Sequence, residues 1–437
     1  MKNQIQFIAL ILITTIFIFS SCTTEDKCAE VTCDNGQICI EGVCLGSSSN
    51  LVVSQNINTD QTWTNDNIYE LSGRISVESG ATLTIEAGTI IKGQAGSGPN
   101  ATALVIARGG KIMAEGTATA PIIFTTVADE IDIDQVASGD FASPNLAPTV
   151  NGQWGGLMIL GNAPISATVN PAQIEGIPTT DENGLYGGSD AADNSGVIRY
   201  VSIRHGGANI GNGNEINGLT LGGVGNGTTI ENIEIIGNQD DGIEFFGGSV
   251  DVSNLLIMNV GDDAVDTDQE WTGTLNNFIV IQGAESDHAL ELDGGEGSVN
   301  DVTFSLTNGS CKGYYNTADS TGGEYADLRS KVQCSLENVY FFNFGKNADL
   351  ELDNVIISDN YKSSKVSFTG LKFNTTHLTS GNLTTAQILV DKSTAADAFD
   401  NLTTVQADNA TTIVGGANKT NFANWTWTSQ ANLLSDF

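Results

Sequence analysis

Short apolar runs alternate with turn residues along most of this chain. From residue 71 the sequence reads "LSGRISVESGATLTIEAGTIIKG" (71–93), with Val, Ile, Leu and Thr separated by Gly, Ser and Glu. A two-residue alternation broken by turns is typical of short β-strands, and no long segment has the 3.6-residue period of a helix. The pattern therefore predicts an all-β chain with almost no helix.

A longer period appears in the middle of the chain, where six similar strings follow one another. Strings such as "IENIEII" (230–236), "VSNLLIM" (252–258) and "LNNFIVI" (275–281) share a polar residue at the third position. A period in the twenties indicates a parallel β-helix, whose coils each contribute short strands. We expect these polar side chains to stack at one turn of successive coils, in the left-handed backbone that Asn tolerates. The third positions, with first steps of 22, 23 and 24 residues, are Asn232, Asn254, Asn277, Asp301, Asn338 and Asn354.

Several motifs between residues 60 and 437 are similar to those of a known group of proteins. They are "GATLTIEAGTIIKG" (80–93), "QWGGLMILGNAPI" (153–165), "RYVSIRHGG" (199–207), "DDGIEFFGG" (240–248) and "FANWTWTSQANLL" (422–434). They resemble the right-handed parallel β-helix lipoproteins of Bacteroidota. The resemblance implies a right-handed parallel β-helix but no particular activity, because such helices serve lyases, hydrolases and adhesins alike.

The N-terminus has the features of a secretory signal peptide. Lys2 precedes an apolar run (7–20) that is too short for a comfortable membrane span and ends at "SSC" (20–22). A cysteine after small residues resembles a bacterial lipobox, which implies removal of residues 1–21 and lipidation of Cys22. The following Thr23, and the acidic pair after it, resemble outer-membrane lipoproteins exported to the cell exterior.

The other six cysteines form an even set, as expected in an oxidising compartment. Four of them, Cys28, Cys33, Cys39 and Cys44, have four, five and four residues between them and resemble half of an EGF-like module. Three pairings are possible, and a zinc site is disfavoured because paired CxxC spacings are missing. With the linker "GSSSN" (46–50), residues 22–50 are predicted to form a tether.

The β-helix is expected to occupy residues 51–375, followed by C-terminal coils and a cap in 376–437. The step from Asp301 to Asn338 is longer than the others, and we expect its excess to be a loop closed by a Cys311–Cys334 disulfide. A long loop is often functional, so its residues Tyr314, Tyr315 and Arg329 are candidate ligand-binding residues. Trp425 and Trp427 are expected to cap the open end of the core.

The charge of the chain limits its partners. It has 17 Lys+Arg against 52 Asp+Glu, a formal net charge of −35. Phosphates of nucleic acid and anionic membrane surfaces would be repelled by such a protein. Divalent cations and neutral or cationic ligands fit better.

A second repeated string contains most of the clustered acidic residues. "QDDGIEFFGG" (239–248), "GDDAVDTDQE" (261–270), "ESDHALELDGG" (285–295) and "KNADLELDN" (346–354) align with apolar residues between the acids. In this alignment Asp241, Asp263, His288 and Asp349 share one position, and Glu244, Asp266, Glu291 and Glu351 the next. Alternation then places the apolar side chains inward and the carboxylates outward, as an acidic ridge. The candidate calcium ligands are Asp241, Glu244, Asp263, Asp266, Asp268, Glu291 and Asp293.

Three interpretations of the ridge remain open. It could be a solvated acidic face, a calcium site built across coils, or a catalytic site with paired carboxylates. The strings resemble the aspartates of polygalacturonase-type hydrolases, but the Gly-His-Gly and Arg-x-Lys elements of that family are missing, and no catalytic residue is assigned.

The leading hypothesis is a monomeric, lipid-anchored outer-membrane protein that faces the cell exterior. It would bind glycans with the assistance of calcium, the only cofactor expected. A β-helix polysaccharide lyase or glycoside hydrolase, and a purely structural surface component, are the alternatives.

Overall fold

The computed structural model describes residues 37–40, 43–46, 49–211, 216–297, 301–315, 323–393, 406–407 and 415–437. The predicted signal peptide, Cys22, Cys28 and Cys33 lie outside the described residues. The chain forms two compact units, Met1–Ser47 and Ser48–Phe437. In the first unit, β1 (Gln37–Ile40) and β2 (Val43–Gly46) form an antiparallel hairpin in which Cys39 and Cys44 are Cα partners.

The second unit consists of short strands linked by turns, with few and short helices among the described residues. Its first half contains β3 (Ser49–Val53), β4 (Gln61–Trp63), β5 (Asn67–Leu71), β6 (Arg74–Val77), β7 (Thr82–Ile85), β8 (Ile90–Gly93), β9 (Ala103–Ile106), β10 (Lys111–Glu115), β11 (Ile122–Thr126), α1 (Ile133–Ser138), β12 (Leu157–Leu160), β13 (Ala172–Gln173), β14 (Leu185–Tyr186), β15 (Gly196–Arg204), β16 (Leu219–Gly222) and β17 (Thr229–Ile236).

The second half continues the same pattern to the last described coil. It contains β18 (Ile243–Phe246), β19 (Val252–Met258), β20 (Val265–Asp268), β21 (Thr274–Ile281), β22 (Leu290–Leu292), β23 (Phe304–Lys312), β24 (Ala326–Leu328), β25 (Cys334–Phe342), β26 (Leu350–Leu352), α2 (Val355–Lys362), β27 (Ser367–Thr369), β28 (Lys372–Asn374), α3 (Thr385–Ile388), β29 (Leu389–Asp391), β30 (Gln406–Ala407) and α4 (Trp427–Gln430). Three short 3-10 helices, Gly98–Asn100, Glu182–Gly184 and Lys419–Phe422, complete the described elements.

Two long sheets hold the coils together. Among the described residues, sixteen strands form sheet 1, whose main path runs from β3 through β15, β17, β19, β21, β23 and β25 to β30. Ten strands form sheet 2, in the order β6-β9-β12-β16-β18-β20-β22-β24-β26-β29. Neighbouring strands are parallel, as at β17–β19 and β18–β20. The chain is therefore an all-β parallel β-helix, which confirms the fold class expected from the repeat.

The core lies between the sheets and is built from apolar residues that recur at the same position of successive coils. Leu219, Ile243, Val265 and Leu290 are successive Cα partners in sheet 2, and all four are fully buried. Because alternate side chains of a strand point to opposite faces, their neighbours project away from this core. The register thus fixes which residues line the outer face of sheet 2.

The predicted asparagine stack is present. Asn254 donates through Nδ2 to Oδ1 of Asn232 at 3.0 Å, and Asn277 donates to Oδ1 of Asn254 at 2.7 Å. All three have positive φ between 56° and 61°. The stack therefore satisfies side-chain amides and stabilises a left-handed turn in each coil.

The prediction of the stack is wrong at two positions, Asp301 and Asn354. The residue in register with Asn277 is Asn308, not Asp301, because Phe278 is the Cα partner of Gly309. Asn354 caps the N-terminus of α2 through a hydrogen bond from Ile356 N, with an extended backbone. The sequence alignment failed here because the coils after Asn277 lengthen to about thirty residues, so a fixed step lands on the wrong residue.

The predicted Cys311–Cys334 disulfide is wrong, and both thiols are free and buried. Cys334 pairs with Phe304 at one end of β23 and β25, whereas Cys311 pairs with Phe341 seven residues further along. At about 3.3 Å per residue the cysteines are roughly 20 Å apart, too far for a disulfide. The segment 311–334 is not a closed loop, since it contains β24 and the ends of β23 and β25.

The predicted end cap is also wrong, because the last residues run back along the outside of sheet 1. We call residues 415–437 the C-terminal strap. Trp425 and Trp427 pack with Phe422 on an apolar patch that includes Ile236 and Leu256. These two sheet residues project outward from β17 and β19, and the aromatic side chains remove them from water.

None of the helices among the described residues has both the length and the apolar composition that crossing a membrane requires.

Candidate functional site

A row of carboxylates crosses five consecutive coils on the outer face of sheet 2. Each member is the Cα partner of the next, so adjacent carboxylates are separated by one strand spacing, about 4.8 Å. We call these residues the acidic row: Glu244, Asp266, Glu291, Asp327 and Glu351. Four of them were predicted to share one position, and the register agrees; Asp327 was missed.

A second line of polar residues lies in the turns that precede these strands. The backbone N of Asp263 donates to Oδ1 of Asp241 at 2.9 Å, and His288 N donates to Oδ1 of Asp263 at 2.6 Å. The backbones of His288 and Glu324 form an isolated parallel β-bridge, which extends the line to the next coil. We call Asp241, Asp263, His288 and Glu324 the turn line.

Asp349 was placed in this line by sequence, but the alignment was one residue out of register. It immediately precedes Leu350, whose Cα partner is Ala326, so it lies level with Tyr325. In the coil of Asp349 the turn-line position is occupied by Ala348, which precedes Leu350 by two residues as Glu324 precedes Ala326. The local spacing differs because Glu351 follows Asp349 by two residues, whereas Glu244 follows Asp241 by three.

The carboxylates are much more buried than a solvated face would be. Those in the two lines and Asp293 are between 3% and 9% exposed, with Asp266 and Glu324 somewhat more open. Ionised carboxylates lose hydration at such positions and also repel one another. The interpretation as a simply solvated acidic face is therefore wrong for these residues.

Burial raises the pKa values of Glu244, Asp266 and Asp327 in the acidic row, and neighbouring charges raise them further. Desolvation and then the charge of Asp266 raise the pKa values of Asp241 and Glu244 well above their ordinary range. Desolvation, followed by the charge of Glu351, raises the pKa of Asp327 to about 7. Desolvation and the charge of Glu296 raise the pKa of Asp268 to about 8. These carboxylates therefore need a proton or a cation to be stable at neutral pH.

Oxygen atoms converge at several places along the two lines. Asp241, Glu244 and Asp266 can offer ligand atoms that all lie within 4.8 Å of one another. We call these three residues the calcium triad, since hard cations such as Ca²⁺ take oxygen ligands from adjacent segments. The same holds for three further sets, Asp263–His288–Glu291, Glu324–Asp349–Glu351 and Asp240–Asp241–Asp262.

Several buried oxygens at the site have no hydrogen-bond partner among the described residues. They include Oδ1 of Asp266 and Oδ1 of Asp327 in the acidic row. Oδ1 of Asn217 and Oγ1 of Thr220 are also unpartnered, in the coil before Glu244, and both residues are 1% exposed. An unpaired buried oxygen is unfavourable, so an ordered water molecule or a cation would stabilise these atoms.

The C-terminal half of the site contains basic side chains that pair with its carboxylates. The guanidinium of Arg329 donates to Asp293 at 2.8 Å and also contacts Glu291. Lys392 contacts Glu351, and His288 contacts Asp263 at 2.9 Å. Burial lowers the pKa of His288, but the hydrogen bond to Asp263 and the nearby carboxylates outweigh it and raise the pKa to about 9. No ion pair of this kind is formed by the three carboxylates of the calcium triad among the described residues.

The structure separates the three candidate ligand-binding residues. Arg329 follows β24 and lies in the site rather than on a loop. Tyr315 packs edge-on against His377, with 4.8 Å between ring centroids, and contacts the core. Tyr314 is 39% exposed and belongs to no acidic set. Only Arg329 is therefore brought together with the predicted calcium ligands.

Some site residues were missed because their coils do not repeat the common string. Asp327 stands in "EYADLRS" (324–330), where Ala-Asp-Leu replaces the Leu-Glu-Leu of neighbouring coils. The apolar-acid-apolar pattern was the available signal, and it was hidden by the assumption of a disulfide loop. No pattern in the sequence indicated that Asn217 and Lys392 belong to the site, because only the strand register brings them there.

Comparison with known proteins gives one family. The model of a family described as "Pectate-lyase like beta helix domain" matches residues 55–430, which is most of the chain and includes the whole site. No curated protein and no solved structure gives a significant match.

Proposed function

Since the chain belongs to the family of pectate-lyase-like β-helix domains, a fold suited to proteins that act on polysaccharides in general, we propose that it binds glycans with the help of calcium. The acidic face of sheet 2 would be the binding surface. This proposal is one of binding rather than of catalysis, because fold membership alone does not carry an activity.

The calcium triad carries the proposal. Asp241 and Glu244 are buried and Asp266 is partly buried, so the three carboxylates repel one another. Their oxygens nevertheless converge within 4.8 Å, and Oδ1 of Asp266 has no partner among the described residues. Asn217 and Thr220 add two unpartnered oxygens from the preceding coil. A calcium ion prefers six to eight oxygen ligands, of which water supplies some. A divalent cation would satisfy these oxygens and neutralise the repulsion.

Two of the other acidic sets are poorer calcium sites. Lys392 already neutralises part of the set that includes Glu351, and the imidazole of His288 occupies the centre of another. An imidazole ligand suits transition metals rather than calcium. The set Asp240–Asp241–Asp262 shares Asp241 with the calcium triad, but its Asp262 is exposed, so we assign calcium to the calcium triad.

A glycan would contact the exposed border of the site. The side chain of Arg329 is 40% exposed while it remains hydrogen-bonded to Asp293. A guanidinium beside a carboxylate offers a donor and an acceptor side by side, which matches neighbouring hydroxyl groups of a sugar ring. Calcium would hold the adjacent coils rigid and reduce the negative field that a ligand meets.

The proposed location is the outer membrane, with the lipid on Cys22 as anchor and the β-helix facing the cell exterior. The signal sequence and lipobox-like "SSC" (20–22) support this placement. The excess of carboxylates supports a partner other than nucleic acid. The protein is proposed to act as a monomer.

A glycan array probed with and without calcium tests this function. The wild-type protein should bind in calcium and lose binding in EDTA, and sodium at equal ionic strength should not restore it. The double variant Asp263→Asn/Asp266→Asn should lose the calcium-dependent signal. The exposed Asp359, on α2, provides the control Asp359→Asn, which removes one charge away from the site and should leave binding unchanged.

Binding that is equal in EDTA, or undiminished in the double variant, would refute the proposal. Calcium binding without any glycan signal would favour a purely structural surface component. Both outcomes can be read from the same array together with calorimetric titration of calcium.

One observation favours a second candidate, a polysaccharide hydrolase. The raised pKa of Asp327, about 7, would let this carboxylic acid donate a proton at neutral pH, as a general acid does. A lyase is less favoured, because Arg329 is held by two carboxylates and a guanidinium stays protonated in proteins. Release of reducing ends from a uronate polymer, lost in Asp327→Asn, would establish the hydrolase instead.

A further inference from the structure

A large groove lies on the opposite sheet from the acidic row. It has a volume of about 750 Å³, within the size range of ligand pockets, and lies between the outer face of sheet 1 and the C-terminal strap. Its wall on the sheet comes from β23, β25 and β28, and its other wall from residues on both ends of the strap. The residues that matter for recognition are Lys312, Tyr340, Phe342, Lys419 and Phe437.

The strap wall is held in place by hydrogen bonds to the sheet. Gly416 N donates to Oδ1 of Asn338 at 3.0 Å, and Ala417 N donates to Oγ of Ser310 at 2.9 Å. Asn418 N donates to Oδ1 of Asn277 at 2.6 Å. Three consecutive backbone donors thus fix the strap to three coils. The groove is preformed, which reduces the entropy lost when a ligand binds.

Basic side chains are concentrated at this groove although the chain has a net charge of −35. Lys312 and Lys419 line it, and Nζ of Lys372 would lie 3.7 Å from a Cβ at Gly415, another lining residue. At physiological ionic strength charges more than about 8 Å away are largely screened. The local field is therefore set by these lysines and by Asp436, which also lines the groove, rather than by the acidic row.

The two lining lysines can exchange their present partners for a ligand. Lys312 pairs with Asp436 at 2.5 Å, but the side chain of Asp436 is 54% exposed, and such surface pairs contribute little. Lys419 donates to the carbonyl oxygen of Leu434 at 3.1 Å. An ammonium group has three donors, so each lysine keeps capacity for an anion.

Aromatic rings lie beside these ammonium groups. Phe342 is half-buried and packs edge-on against Phe437, with 5.1 Å between ring centroids, and tilted against Tyr340 at 5.6 Å. The pocket also presents the amide of Asn343, whose Nδ2 donates to the carbonyl of Gly313, leaving its oxygen as an acceptor. Apolar rings with a few placed polar groups are characteristic of small-ligand sites.

We propose that this groove binds an anionic saccharide, whose carboxylate or sulfate group contacts Lys312 and Lys419 while a sugar ring lies against Phe342. The site is separate from the acidic row and does not need calcium. It goes beyond the proposed function, because it gives the protein a second glycan contact on its other sheet.

Isothermal titration calorimetry of the full mature chain in EDTA tests the proposal. The probes are a glucuronate-containing tetrasaccharide, a sulfated disaccharide and neutral cellotetraose. At least one anionic probe should bind, and cellotetraose should bind at least about tenfold more weakly, because it cannot form the charge-assisted hydrogen bonds. The preferred anionic probe identifies the group as a carboxylate or a sulfate.

Four variants locate the binding. Lys312→Met/Lys419→Met should weaken it at least about tenfold, and Phe342→Ala should also weaken it. The control Lys362→Met removes a charge from exposed α2 and should have no effect. Asp263→Asn/Asp266→Asn should bind like the wild type.

Absence of binding to both anionic probes, equal binding of the neutral probe, or unchanged affinity in the lysine variant would overturn the proposal. Loss in the acidic variant alone would place the ligand at the acidic row and overturn it as well, while leaving the calcium proposal intact.

Discussion

Asp266 is the Cα partner of Glu244, so the carboxylates of two adjacent coils project from the same face of sheet 2 about 4.8 Å apart. Two unit charges at this distance repel by roughly 1 kcal/mol in water and by about 3.5 kcal/mol at an effective dielectric of 20. The pair can be relieved by a proton on one carboxylate or by a cation between them. These two forms of relief respond in opposite ways to pH and to calcium.

The first prediction concerns Asp266→Asn. In EDTA at pH 8 this variant should be more stable than the wild type by about 1–3 kcal/mol, because one of two repelling charges is removed. In millimolar calcium the order should reverse, since calcium binding adds stability to the wild type by mass action and the variant has lost a ligand. Thermal unfolding in both buffers measures this.

The control for that experiment is Asp359→Asn, an equal charge change on exposed α2. It should leave the melting temperature within the small range of surface substitutions in both buffers. If Asp266→Asn shifted the melting temperature equally with and without calcium, the residue would not be a calcium ligand.

The second prediction is an unusual pH dependence in EDTA. Burial and neighbouring charges raise the pKa to about 8 for Asp268, about 7 for Asp327 and about 6 for Asp293 in the folded protein, against about 3.9 in an unfolded chain. A group with a raised folded pKa contributes stability that is present at low pH and lost as pH rises through the folded value. The free energy of unfolding should therefore rise by roughly 2 kcal/mol or more from pH 8 to pH 5.

Denaturant titration at constant ionic strength over this range checks the sign. A carboxylate stabilised by ion pairs would give the opposite trend, so a fall in stability between pH 8 and pH 5 would contradict the assigned burial. Calcium should weaken the dependence, because its ligands must be deprotonated.

The parallel β-helix could be predicted because each coil repeats the same physical requirements. Leu219, Ile243 and Val265 are apolar because they face one core. Asparagine occurs at the position of Asn254 in successive coils because each of these coils has a left-handed turn there. The prediction failed where coil length changed, as at Asn308. The position of the C-terminal strap could not be predicted, because Trp425 packs on an outer patch that only the folded sheet creates.

The acidic row was predictable to the extent that its coils share a string. Glu244 and Asp266 were aligned correctly because both lie one residue after an apolar strand residue. Their burial was not predictable, since alternation says only that they face away from the core. The ion pair between Arg329 and Asp293 joins residues 36 positions apart, and no local pattern in the sequence links them.

The third prediction separates the two roles of the asparagine stack. Asn277 has φ of 61°, donates to Asn254 and accepts from Asn418 N. Asn277→Leu should cost about 1–3 kcal/mol from unpaired polar groups, plus about 1–2 kcal/mol from left-handed strain. Asn277→Gly removes the amide but tolerates the backbone, so it should be the milder change. Equal midpoints for wild type and Asn277→Leu in denaturant would refute the stabilising role of the stack.

The fourth prediction concerns the membrane anchor. Cys22→Ser removes the thiol to which lipid would be attached, so the variant should not incorporate labelled fatty acid and should be released from membranes. Cell fractionation with Cys311→Ser as control measures this, because Cys311 is a buried core residue that cannot carry a lipid. Membrane association that persisted in Cys22→Ser would contradict the lipoprotein assignment.

The last prediction concerns the attachment of the C-terminal strap. Glu234 is fully buried and accepts hydrogen bonds from Thr428 N at 3.0 Å and from Ser202 Oγ at 2.7 Å. Its carboxylate also faces the buried guanidinium of Arg204 at 3.8 Å. Removing one charge of a buried pair leaves the other uncompensated, so Glu234→Gln should cost about 3–5 kcal/mol.

The matched control is Glu231→Gln on the same strand. Glu231 is partly exposed and lies 3.5 Å from Arg199, and such surface pairs contribute at most about 1 kcal/mol. Limited proteolysis should cut the strap faster in Glu234→Gln than in Glu231→Gln, because the first variant weakens the contacts that hold Trp427 and Thr428 against sheet 1. Equal cleavage rates, or equal loss of stability in the two variants, would show that Glu234 does not attach the strap.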